Sequence, residues 1–210
     1  MKEYHFLGEY NPIEDVFTEL DAALPLAVKL QRDRGDTTGA LNALRDIANK
    51  AIGTDTPPNS RASVSRARII ELAFDKARLV YQRANQPARA VASGIVSYFM
   101  GVKSKSAGAD FDAACAAERR SARYQECFVH DASDKKEEEE QAKFEEQMAK
   151  EGLAQAFAAM ANGAILAEAI RLLKKMKMDV ALADRILAAV SQPPNNPWEM
   201  FNAVMAALGQ

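Results

Sequence analysis

Cys127 and His130 stand three residues apart, so on a helix their side chains share one face. A thiolate beside an imidazole makes a nucleophile pair. The same two side chains could start a metal site if Cys115 or Asp131 joined them. The pattern stops there: no second close pair of ligands follows, and the only other histidine is His5. These residues read more simply as a small buried cysteine beside a surface histidine. A di-iron bundle needs Glu-x-x-His pairs, and the position three before His130 is Cys127. There is no Walker A loop, Gly-rich dinucleotide loop or zinc-type cysteine spacing. The sequence therefore assigns no catalytic residue, no metal and no cofactor; an enzyme built on Cys127/His130 is the least favoured reading.

The stronger chemical signal is charge. Residues 61–105 carry 9 basic and 2 acidic side chains in a chain whose net charge is −2. Arg61, Arg66, Arg68, Arg78 and Arg83, followed by Lys103 and Lys105, could track phosphates or grip an acidic protein partner. Only Phe74 and Tyr81 are interleaved with the arginines of the third helix, and both belong to its apolar stripe, which weakens the nucleic-acid case. The Gly101–Gly108 stretch, rich in Ser and Lys, reads as a flexible basic loop that could hold a phosphate through backbone N–H groups and Lys103/Lys105. Glu137, Glu138, Glu139 and Glu140 form the opposite feature, an acidic run for a basic partner or for pairing with the basic block. A helix-turn-helix around residues 166–190 lacks its tight Gly-containing turn.

The elements that must carry these charges all read as helices. Asn11-Pro12-Ile13-Glu14 starts the first, with Asn as cap and Pro at the first position. Pro25 should kink or divide it, and Gly35 should stop it. A second helix runs from about 38 to 52 and a third, the basic one, from about 60 to 85. Pro87 should end or bend the third. Residues 88–102 fit a short buried helix or, less well, a strand. A further helix spans about 110–129. The longest element is expected over 133–178, with a charged first half and an Ala-rich second half. Glu139/Lys143 and Glu146/Lys150 brace it at four-residue spacing. Asp179 caps a short helix, and Asn196-Pro197-Trp198-Glu199 repeats the Asn11 start for the last one.

The fold class is all-α: an irregular bundle of about seven or eight helices around a long charged-to-Ala-rich central helix. Its organisation reads as an N-terminal region, 1–130, and a C-terminal region, 131–210, which could form one continuous domain. Two cysteines make no disulfide framework, and the polar N-terminus has no apolar core behind it, so the expected setting is cytoplasmic. No membrane partner is expected. The function expected is a non-enzymatic helical protein-interaction module (adaptor, inhibitor or assembly factor) acting through charged helix faces. The alternative is nucleic-acid binding through 61–105. The thin stripe of Phe144 and Met148 also makes a homo-oligomer possible.

Overall fold

Two glycines set the central contact of this molecule. In the computed structural model, which describes residues 12–57, 60–127, 162–191 and 196–209, Gly94 and Gly101 lie where two long helices meet. A Cβ on Gly94 would come within 2.9 Å of Arg78 Cδ, and one on Gly101 within 3.2 Å of the Glu71 carboxylate. The glycines are seven residues apart, and so are their two opposite numbers, in reverse order. That is the register of an antiparallel pair meeting every second turn.

The pair is α3 (Arg61–Arg83) and α4 (Pro87–Cys127), which make the most extensive helix contact of the fold. The corner between them is tight. Asn85 takes a positive φ of 54°, its N–H bonds to Gln82 O and the Gln86 N–H bonds to Tyr81 O, which closes the end of α3. Pro87 then occupies the first position of α4, where its missing N–H costs nothing. Proline therefore opens a new helix here rather than bending the old one.

Before this pair come α1 (Pro12–Arg34) and α2 (Thr37–Gly53), which pack on each other and on α3. Pro25 leaves α1 undivided. It sits on the solvent side, where water can take up the carbonyl its ring leaves unbonded. Gly35, at φ 68°, ends α1, and Asp36 caps α2 by accepting from Gly39 N at 2.7 Å. After the pair come α5 (residues 162–175), α6 (Leu182–Val190) and α7 (Pro197–Ala207). Lys177, at φ 55°, closes the end of α5 with the same bond pattern as Asn85: Lys177 N to Lys174 O and Met178 N to Leu173 O. Asn196 caps α7 as its sequence suggests, accepting from Trp198 N at 2.9 Å.

Among the described residues the fold is an all-helical bundle of seven helices with no strand. Its core draws on every helix, from Phe17 and Leu20 through Leu44, Phe74, Ile95 and Leu172 to Ile186 and Met200. The question of helix or strand over 88–102 resolves to helix. The flexible loop expected at Gly101–Gly108 is instead the middle of α4, one helix of 41 residues. No proline interrupts that stretch, and Gly101 serves the close approach to α3. The Asn11 cap and most of the 133–178 element lie outside the described residues, apart from helical 162–175. Among the described residues no helix is long and apolar enough to cross a membrane.

Candidate functional site

The buried face of α3 is broad, because α1, α2 and α4 all press on it. Ala62, Ala67, Ile69, Ile70, Ala73, Phe74, Ala77 and Val80 are buried. At 100° per residue these cover close to half of the helix circumference. Arg61, Arg68 and Arg83 all face the remaining outer arc, Arg83 about four turns further along than Arg68. Arg68 pairs with Glu71 at 2.8 Å, and Arg83 donates to Gln31 Oε1 of α1 at 3.0 Å. Arg61 and Arg68 share an open groove with Thr18 and Asp21 of α1.

Arg66 does not join them. The sequence reading puts it on the outer surface with the other arginines; it lies instead within the inward arc. There its guanidinium donates to Ile52 O at 2.8 Å, at the C-terminal end of α2. A cation in that position satisfies a carbonyl that has no partner within its own helix and suits the negative end of the helix dipole. Arg78 is also taken up internally. It is half-buried, pairs with Asp75 at 2.6 Å, and its stem lies against Gly94. Lys103 sits over the Phe99 ring at 4.8 Å and shares a second groove with Arg66. Burial first, and the like charge of Arg66 second, push its pKa down. Lys105 is exposed on α4. Because 101–108 is helical, its backbone N–H groups serve the helix rather than a phosphate loop. The seven basic residues thus divide: Arg61 with Arg68, Arg66 with Lys103, and Arg78, Arg83 and Lys105 elsewhere.

A third concavity, of about 460 Å³, lies among α2, α3, α4 and α7. Phe74, Trp198 and Phe201 form its aromatic floor, with Phe74 and Trp198 centroids 4.6 Å apart and Trp198 and Phe201 edge to face at 6.0 Å. Trp198 is fixed in plane by its Nε1–H donating to Asn49 Oδ1 at 2.8 Å. Arg45 lies over the Trp198 ring at 5.8 Å and Arg89 over the Tyr81 ring at 6.0 Å. Burial raises the Tyr81 phenol above its ordinary pKa, against the opposing pull of Arg89 and Arg45. Ser93, one turn beyond Arg89 on the same face of α4, is fully buried in the wall, and its hydroxyl has no hydrogen-bond partner. Sequence reasoning did not single out this cleft. Its residues come from four helices, and the one local signal was the chain's single tryptophan.

Glu137, Glu138, Glu139, Glu140 and His130 lie outside the described residues, as does the side chain of Cys127, the last residue of α4. Cys115 is half-buried and free. Among the described residues no group of three or more His, Cys, Asp or Glu side chains is placed to hold a metal ion. Comparison with protein-family models, with curated proteins and with solved structures finds no match to this chain.

Proposed function

We propose that this protein is a non-enzymatic helical interaction module, an adaptor, inhibitor or assembly factor, that engages a protein partner through the outer side of α3 and the adjoining side of α1. One observation carries the reading: the outer basic residues are interleaved with acids. Arg68 is paired to Glu71, and the groove that holds Arg61 and Arg68 also holds Asp21. A polyphosphate backbone presents one sign of charge only, so Asp21 and Glu71 oppose it. A protein surface carries both signs and can answer such a pattern residue by residue. The withdrawal of Arg66 and Arg78 into the framework removes two of the seven cations from a phosphate track and points the same way.

The test replaces Arg61 and Arg68 by Glu in the full chain, with a photo-crosslinking residue at position 65 between them. Position 65 lies in the same groove. The unaltered surface should give one crosslinked protein species in the native cell. The double reversal should weaken that partner roughly tenfold, with most of the loss in the association rate and a strong dependence on salt. Nucleic acid offered in parallel should bind weakly at near-physiological salt. Tight, salt-sensitive nucleic-acid binding that the double reversal abolishes would replace this reading with the nucleic-acid one.

A further inference from the structure

The outer face of α3 leaves the aromatic cleft unused. We propose that the cleft between α2, α3, α4 and α7 binds a small planar aromatic anion, with its flat body against Trp198 and Phe201 and its carboxylate or phosphate between Arg45, Arg89 and the Tyr81 hydroxyl. The site goes beyond the interaction reading and does not rest on it.

Four features argue for it. First, both cations are uncompensated. Among the described residues no carboxylate pairs with Arg45 or Arg89, whereas Arg68, Arg78 and Arg171 each hold one at an i,i+3 spacing. Arg89 gives one hydrogen bond, to Gln86 Oε1 at 3.2 Å. Secondly, each guanidinium lies over a ring face, Arg45 at 5.8 Å from the Trp198 centroid and Arg89 at 6.0 Å from that of Tyr81. A guanidinium in that position keeps N–H groups to donate, and its planar fork suits a carboxylate or phosphate. Thirdly, the Trp198 and Phe201 rings are half-exposed but already packed on each other and on the buried Phe74, and Trp198 is held by Asn49, so the apolar surface is preformed. Fourthly, Ser93 supplies a hydroxyl that is fully buried and without a partner. Leaving such a group unbonded is costly, and a turn of the Ser93 side chain toward the cleft would let a ligand atom satisfy it.

Size selects the ligand class. A volume of about 460 Å³ falls in the ordinary range for small-molecule sites, roughly 300 to 1,000 Å³. Its four aromatic side chains are set among aliphatic residues and a larger group of polar ones, a more polar lining than the usual small-molecule site, which suits an anion better than a neutral ligand. The neutral Tyr81 phenol acts as a donor beside the two guanidinium groups.

The single tryptophan makes the site directly observable, since Trp198 lies in the cleft. The full chain is titrated with naphthoate, naphthyl phosphate, neutral naphthamide and inorganic phosphate, following Trp198 fluorescence and the heat of binding. One or both aromatic anions should bind at least roughly tenfold more tightly than naphthamide and than inorganic phosphate, as two charge-assisted hydrogen bonds require. The tighter of the two identifies the source of the charge as carboxylate or phosphate. Arg45→Gln and Arg89→Gln should each weaken the anion by roughly tenfold and leave naphthamide unchanged. Both arginines are exposed, so these variants should keep the fold. Ser93→Ala should weaken the ligand without lowering the melting temperature of the free protein. Saturation by neither anion at millimolar concentration would overturn the proposal. So would naphthamide matching the anions, or inorganic phosphate matching naphthyl phosphate. These measurements compare ligands on the unaltered protein, so they stand whether or not Arg61 and Arg68 bind a partner.

Discussion

Arg66 shows how one residue's role turns on its neighbours across the fold. By type and by sequence position it belongs with Arg61 and Arg68. In the structure it closes the end of α2 through Ile52 O, 14 residues away. A cation at a partly buried helix C-terminus contributes about 0.3–2 kcal/mol. Arg66→Gln should therefore lower stability by about 1 kcal/mol. Lys105→Gln, at an exposed position of α4, should change it by less than about 0.5 kcal/mol. Chemical denaturation of the two variants measures the difference directly. Equal values would mean that the Ile52 contact contributes nothing. Arg61 and Arg68 belong with each other because both fall on the arc that α1, α2 and α4 leave open.

The element that decides the architecture is the α3/α4 pair, and its glycines can be tested one against another. Glycine inside a helix costs about 1 kcal/mol relative to alanine. At Gly108, where an added Cβ meets nothing within 4 Å, alanine should recover up to that amount. At Gly94 the same Cβ would lie 2.7 Å from Leu172 Cδ1 and 2.9 Å from Arg78 Cδ. Leu172 is fully buried, so it has no free space to yield. Overpacking of this kind costs about 1–3 kcal/mol. Gly94→Ala should thus destabilise while Gly108→Ala stabilises, a change of sign between two glycines of one helix. Thermal melts of the pair would show it, and a rise in both would remove the close approach of α4 to α3 and α5 from the account. These glycines also explain the misread loop: in the sequence, Gly beside Ser and Lys is a turn signal. The seven-residue spacing of Gly94 and Gly101 marks a packing seam, which becomes legible once Arg78 and Glu71 lie opposite.

At the scale of the whole molecule, one buried cluster reaches from α1 to α7. Removing a core side chain near one end should therefore be felt throughout. Ile186 of α6 is fully buried, and Ile186→Ala should cost about 2–5 kcal/mol. We expect the loss to lower a single cooperative transition. Far-ultraviolet circular dichroism and Trp198 fluorescence should shift together; an early loss of ellipticity with Trp198 undisturbed would show that α6 unfolds on its own. The helical class, the ends of α1, α2 and α3, and the Asn196 start of α7 were determined by the sequence alone. Apolar spacing, caps and glycine stops act within a few residues, so no distant part of the chain is needed to fix them. The tertiary structure decided three other things: the continuity of α4, the inward turn of Arg66, and the gathering of Arg45, Tyr81, Arg89 and Trp198 around one cleft. Each depends on which helix lies across from which. That choice is made by burial and close packing among residues up to 150 positions apart, such as Asn49 and Trp198 at a separation of 149. Local spacing carries no record of it.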